Sequence, residues 1–176
     1  MEHRVRSPLS EGDVSRFSAG DIVWLSGTVY TARDKAHQRL GEVKFDLRGG
    51  VIYHCGPLIR DTTVVSAGPT SSVRLARYLP QVLDLGVRCI IGKGGMPGAA
   101  ELIRRRAVYL AYPGGCGAAA ARSLSVRGVS LPELGMAEAV WVLEATDLGP
   151  MVVAIDSHGR DLYREVRESA KKHLKR

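Results

Sequence analysis

Two stretches decide the fold: Thr63-Val-Val-Ser-Ala-Gly-Pro-Thr-Ser-Ser-Val-Arg-Leu-Ala-Arg-Tyr78 and Val87-Arg-Cys-Ile-Ile-Gly-Lys-Gly-Gly95. Each opens with a short β-branched run, breaks at glycine, and leads into a segment of helical character. Pro80 cannot donate inside a helix, so it begins a helical turn running to Gly86. Pro97 opens the next helix, through Arg105. Val108-Tyr-Leu-Ala111 is then a strand ending at Gly114-Gly115, with a small-residue helix from Gly117 to Ser123 behind it. Strands alternating with helices across residues 60–125 predict a parallel βαβ core and an α/β class.

Working outward, Asp21–Ser26 is an expected strand ended by Gly27, and Thr31–Leu40 a helix with Thr31 as its N-cap. Val51–His54 is a further strand. Two β-type runs, 138–145 and 151–155, flank Gly149-Pro150. These earlier and later strands have fewer helices between them and point to a second, smaller β layer. Residues 1–20 carry few apolar anchors and are expected to form an irregular arm, leaving 21–176 as a single domain. The last helix repeats Leu162, Val166, Ala170 and Leu174 at intervals of four, one apolar stripe whose simplest use is packing on its own sheet.

The 176 residues are 45% hydrophobic and 24% charged, as in ordinary globular chains. No apolar run reaches the roughly 20 residues that cross a bilayer, and MEHRVRSPLSEGDVSR lacks an apolar h-region, so a cytoplasmic protein without membrane contact is expected. The net charge of +7 raises nucleic acid as a partner. Its distribution argues otherwise. Residues 160–176 hold seven Arg and Lys against three acids, and Arg104–Arg106 add to the excess, so the charge sits on two solvated helices. Aromatics at 6% do not furnish a base-stacking sheet. Three widely spaced cysteines, with no CxxC or HxxxH pair, suit buried thiols in a reducing compartment and provide no metal ligand set.

The chemistry concentrates at the glycine turns. Ligands of open α/β sheets collect at the carboxyl ends of strands, where helix starts offer free N–H groups to anions. Thr70 and Ser71 bring hydroxyls there, Arg74 lies one turn further on, and Lys93 is flanked by glycines. Arg33 opens the first helix. Three cations at strand ends suit a small dianion, arginine supplying a planar fork to carboxylate. Gly92-Lys-Gly-Gly95 departs from the phosphate-loop spacing, and no GxSxG elbow is present. His37, one turn after Arg33, and Asp156 with His158 in Asp156-Ser-His-Gly159 are possible supporting residues, each with a capping or turn-forming reading beside it. Cys116 stands at a helix start without an evident basic partner.

Four segments, Ser26-Gly-Thr-Val-Tyr-Thr-Ala-Arg-Asp-Lys-Ala-His37, Ala67-Gly-Pro-Thr70, Ile91-Gly-Lys-Gly-Gly-Met96 and Ile155-Asp-Ser-His-Gly159, resemble the signatures of iron–sulfur hydro-lyases. The chain is most similar to the β subunit, or C-terminal domain, of class I fumarases and L-tartrate dehydratases over residues 20–165. The resemblance implies a swivelling β/β/α-type domain. It further implies a larger α subunit whose cysteines hold a [4Fe–4S] cluster, and a reversible hydration of a small dicarboxylate, fumarate/malate first and tartrate second. By motif position it assigns catalysis to Thr70 as base, with Arg74 and Lys93. It assigns substrate binding to Arg33, Ser71, Gly68 and Gly94. It implies no metal ligand in this chain; a homodimer or α2β2 assembly is expected, dimers being the commonest assembly of soluble chains. Ala76 departs from the family's acidic residue at that place. The alternative reading is a non-catalytic dicarboxylate-binding or regulatory module.

Overall fold

The computed structural model describes residues 1–174; Lys175 and Arg176, part of the basic C-terminal run, lie outside the described residues. In chain order the elements are β1 (Glu2–Arg6), α1 (Glu11–Ser15), β2 (Ile22–Thr31), α2 (Asp34–Gln38), β3 (Val51–Tyr53), β4 (Leu58–Arg60) and β5 (Thr63–Ser66). A 3-10 helix at Ser72–Tyr78 leads into α3 (Leu79–Asp84). Then follow β6 (Cys89–Gly92), α4 (Ala99–Ile103), β7 (Val108–Ala111), α5 (Gly117–Ala121), β8 (Leu124–Ser130), β9 (Val140–Ile155) and α6 (Leu162–Leu174).

Seven strands form one mixed sheet in the order β1-β2-β3-β6-β7-β9-β8, and β2 also pairs with β9. The circuit β2–β3–β6–β7–β9 therefore closes on itself as a small barrel. β2, β3, β6 and β7 are parallel, in registers such as Ile52↔Ile90 and Ile90↔Tyr109. β9 returns antiparallel to both β7 and β2. The expected parallel core is present, with α3 and α4 as its crossovers; a second, two-stranded sheet is formed by β4 and β5, whereas the earlier and later strands expected to make a second layer, β2, β3 and β9, belong to the main sheet.

Strand periodicity divides the core in two. Val51, Tyr53, Cys89, Ile91, Val108 and Leu110 point inward and pack with Val29, Leu143 and Met151. Their alternates Ile52, Ile90 and Tyr109 face outward under Ala36, Val82 and Ile103 of the helices. A strand buried on both faces loses about 2–5 kcal/mol per Ile→Ala truncation, which makes Ile90 a fixed point of the architecture.

Several expectations are corrected. The first 20 residues are not an irregular arm: β1 pairs in parallel with β2, and α1 carries a reciprocal Ser10/Asp13 capping box. Leu9, Val14 and Phe17 anchor this segment in the core. β2 passes through Gly27 by a register shift instead of ending there. Thr31 is its last residue and not a helix cap, because its Oγ1 accepts the Trp141 amide at 3.0 Å; α2 starts at Asp34. Thr63–Ser66 is outside the core sheet, since Asp61 (φ 55°) turns it back on β4. Residues 72–78 are 3-10, not α, and Ser71 is extended. The runs flanking Gly149-Pro150 are one sixteen-residue strand, and Leu124–Ser130 is a strand that the sequence reading left unassigned. The stripe of α6 is not packed on the sheet along its length: Val166 is 67% and Leu174 86% exposed. No described helix is long and apolar enough to cross a membrane.

Candidate active site

The carboxyl ends of β3 and β6 hold two loops against each other. The Thr70 amide donates to the His54 carbonyl just past β3 (2.7 Å), the Lys93 amide to the Thr70 carbonyl (3.2 Å), and the Ser72 amide to the Lys93 carbonyl (3.0 Å). Bridges Cys55↔Pro69 and Ser71↔Lys93 complete the contact. The Gly68-Pro-Thr turn thus reaches the strand ends although its own strand lies outside the main sheet. Gly68 rests against Gly117 at the start of α5, and Gly94, in the left-handed region (φ 75°), turns the chain after Lys93.

Over these loops the charged side chains are arranged in pairs. Arg74 Nη2 donates to Thr70 Oγ1 at 2.9 Å and lies 3.1 Å from Asp34 Oδ2. Arg33 lies across Gly56, where a Cβ would come within 2.6 Å of Arg33 Cδ, so only glycine leaves the guanidinium its place. Gly56 follows Cys55, which bridges Pro69, and the Arg33 charge opposes the burial that pushes the Cys55 thiol up to about 12. The stem of Lys93 covers Gly114, and among the described residues no carboxylate lies within ion-pair reach of its amine. Ser71 is half-buried and makes no capping bond with its hydroxyl. The structure therefore gathers Thr70, Ser71, Arg74, Lys93, Gly68 and Gly94 on two abutting loops, with Arg33 beside them.

Beneath lies a buried polar chain. The Tyr109 hydroxyl donates to the Gly94 carbonyl (2.7 Å) and is 3.0 Å from Ser72 Oγ, itself 2.8 Å from His54 Nδ1. Tyrosine has one proton, so all three contacts are met when His54 Nδ1–H donates to Ser72, Ser72 to Tyr109, and Tyr109 to Gly94. Gly92 leaves room for this chain, since a Cβ there would fall 1.9 Å from Ser72 Oγ. Burial holds His54 neutral, its pKa driven well below the ordinary value, with the His37 and Arg74 charges adding to the effect.

His37 is also buried and its pKa is pushed down to about 4 by burial. Its Nδ1 donates to the Arg33 carbonyl at 2.7 Å and its ring meets His54 edge-on at 5.1 Å, so it braces the backbone that carries Arg33. Asp156 and His158 are elsewhere. Ile155 pairs with Tyr109 near the amino end of β7, so Asp156 emerges at the pole opposite Thr70. There its carboxylate accepts the Ala19, His158 and Arg160 amides, and His158 bonds the Ser15 carbonyl. Both fix a turn against the N-terminal segment. Cys116 donates to the Pro113 carbonyl, and burial raises its pKa, so the helix start does not favour its thiolate. The sequence reading missed His54, Ser72, Tyr109 and Glu138. Asp34, adjacent to Arg33 in the quoted motif, was legible there as a carboxylate without an assigned duty.

Among the described residues no three His, Cys, Asp or Glu side chains converge as metal ligands. Cys89 is buried in the sheet, Cys55 is buried beneath Arg33, and Cys116 is held by Pro113, so this chain does not itself fit an iron–sulfur cluster.

Arg74 thus touches the Thr70 hydroxyl, while Lys93 stands on the loop whose backbone is bonded to Thr70 and Arg33 packs on the neighbouring Gly56. The chain belongs to the fumarase C-terminus family, whose sequence profile matches residues 3–166. That span begins within β1, in keeping with the N-terminal strand being part of the sheet. The chain is 43% identical, over 94% of its length and 93% of the relative's, to a Methanocaldococcus jannaschii protein provisionally named L(+)-tartrate dehydratase subunit beta. It is 35% identical to the L(+)-tartrate dehydratase subunit beta of Escherichia coli, over 94% of this chain and 88% of that one. A Geobacillus stearothermophilus protein provisionally named as a class I fumarate hydratase matches 97% of this chain at 35% identity, but only 35% of its own length.

Proposed function

We propose that this chain is the β subunit of a two-subunit hydro-lyase that adds or removes water across the carbon–carbon bond of a small dicarboxylate. Fumarate/malate is the first substrate and tartrate the second. The observation that carries the reading is Arg74 donating to Thr70 Oγ1 at 2.9 Å, on a loop bonded to that of Lys93, which has no carboxylate partner among the described residues. The domain is of the swivelling β/β/α type, and residues 21–176 work with the N-terminal strand as one unit. In a relative the matching segment is about a third of a longer chain, which supports a partner that supplies the rest of the site.

That partner, an α subunit carrying a [4Fe–4S] cluster, brings Lewis-acid chemistry for the hydroxyl that leaves or enters. This chain's residues handle the other half. Arg33 and Arg74 offer planar forks to the substrate carboxylates, while the Ser71 hydroxyl and the backbone at Gly68 and Gly94 complete the binding wall. Thr70 first gives its hydroxyl proton to solvent, and the resulting Oγ1 alkoxide takes the proton from the carbon next to the carboxylate, restoring the hydroxyl. An alkoxide is costly, and the positive charges of Arg74 and Lys93 are what lower that cost. The 3-10 helix after Ser71 adds less than an α-helix would, so the guanidinium bond bears most of the task. The assembly is a homodimer of this chain or an α2β2 enzyme. It acts in the cytoplasm, where three free cysteines, two of them buried, are at home.

The test is anaerobic reconstitution with the three-cysteine α subunit, assayed on fumarate, malate and tartrate. Thr70→Ala is expected to leave KM within about threefold and to lower kcat by at least about 100-fold. Turnover surviving within about tenfold removes Thr70 from the role of base.

A further inference from the structure

Glu138 lies in the connection between β8 and β9, outside every motif that marks the site. Its two oxygens serve two neighbours on the α2 side. Oε2 accepts the Lys35 amide at 2.8 Å, and Oε1 lies 3.6 Å from Arg33 Nε. The latter is an ion pair and not a hydrogen bond. Arg33 Nε is buried and makes no hydrogen bond of its own.

The segment that carries Glu138 is fixed at three points. The Ala137 carbonyl packs on Gly56, where an added Cβ would lie 2.7 Å from it. The Trp141 amide donates to Thr31 Oγ1, and the Trp141 indole N–H donates to the Met136 carbonyl at 2.8 Å. Asp34, the other acid nearby, is engaged with Arg74. Each arginine of the site therefore has its own carboxylate, one from the motif and one from this distant segment.

We propose that Glu138 is a positioning residue for Arg33. It draws the Nε edge of the guanidinium toward the β8–β9 segment and leaves the Nη1/Nη2 fork facing the substrate carboxylate. This rests on Arg33 being the substrate clamp. A guanidinium presents its donors in fixed directions, so a charge holding one edge decides where the other points. With both partners mostly covered, side-chain exposures being 30% and 18%, the attraction is less screened than at the open surface.

The test uses the reconstituted two-subunit enzyme with Glu138→Gln, Glu138→Ala and Arg33→Lys. Glutamine keeps the shape and can still accept the Lys35 amide, and it removes only the charge. Alanine removes both. KM for the dicarboxylate is expected to rise about tenfold in Glu138→Gln and Glu138→Ala alike, with kcat within about threefold and the thermal midpoint of the glutamine variant unchanged. A KM that rises in the alanine variant alone assigns Glu138 to the Lys35 bond and overturns the proposal. So does a KM in Glu138→Gln that stays within twofold or falls while Arg33→Lys raises it. If Arg33→Lys also leaves KM unchanged, it is the clamp reading itself that fails.

Discussion

Replacing Gly92 by alanine isolates the buried chain that joins the two loops. The new Cβ would lie 1.9 Å from Ser72 Oγ, 3.1 Å from His54 Nδ1 and 3.2 Å from Ser72 Cβ. Ser72 Oγ must retreat by about 1.5 Å or more to reach ordinary contact. It is fully buried, so no open space receives it. Overpacking of this kind costs about 1–3 kcal/mol, and loosening the bonds to His54 and Tyr109 adds about 1–2 kcal/mol. A total of about 2–5 kcal/mol lowers the thermal midpoint of a chain this size by about 4–20 °C. Because the Ser72 amide holds the Lys93 carbonyl, the displacement also reaches the loop of Lys93, and kcat should fall about 100-fold. Urea unfolding of Gly92→Ala, Ser72→Ala and the double variant separates the clash from other losses. With Oγ removed, the worst contact disappears and two tight ones remain. The penalty of Gly92→Ala should then shrink by at least about 1 kcal/mol. Strictly additive free energies would refute the idea that Gly92 is there to admit the Ser72 hydroxyl.

Three other perturbations test neighbouring parts of the site. Tyr109→Phe removes the donor to the Gly94 carbonyl and should cost about 1–2 kcal/mol in urea unfolding, with kcat lowered more than KM is raised. Asp34→Asn frees Arg74 from its carboxylate and should lower kcat about tenfold in the reconstituted enzyme, leaving the thermal midpoint within about 3 °C. Acid titration of stability tests His37, whose folded pKa of about 4 lies below its unfolded value. Above about pH 6.5 both states are neutral there; between about 6.5 and 4 only the unfolded state takes up the proton, so stability falls by about 3 kcal/mol and levels off below. His54 shifts in the same direction, and His37→Asn should flatten the part of the slope due to His37, as measured by urea midpoints across that range.

The parallel core was legible because Val51–Tyr53, Cys89–Gly92 and Val108–Ala111 are short apolar runs bounded by turn residues, the pattern of strands covered on both faces. Leu124–Ser130 went unassigned because its alternation follows directly on the alanines of α5, with only Arg122 and Ser123 between. The barrel closure was hidden for a different reason: Gly149-Pro150 reads as a break, whereas β9 carries on through it to pair with β2 and β7. At the site, Arg33, Thr70, Arg74 and Lys93 stood out since each lies at a glycine turn or helix start. Ser72, Tyr109 and Glu138 did not, because nothing local marks a serine under a turn, a tyrosine in a strand or a glutamate in a connection. Their duties come from contacts 15 to 105 residues away in the chain, as with Tyr109 and Gly94 or Glu138 and Arg33. Asp156 and His158 show the converse, a conspicuous local motif whose work is to hold a turn.

The double pairing of β9 has a consequence for how the molecule opens. At Val142–Ala145 β9 is paired with both β2 and β8, and at Met151–Val153 with β2 or β7, so amide protons there should exchange with solvent only when the whole barrel unfolds. The β4–β5 hairpin has a single partner each way and an exposed outer edge, and its protons should exchange through small local openings. Thr70 sits at the seam between these regimes, tied to the slow part by His54 and Lys93 and to the fast part by Ser66–Pro69. Local openings of the hairpin should therefore stop at Thr70, whose amide and carbonyl stay bonded to His54 and Lys93.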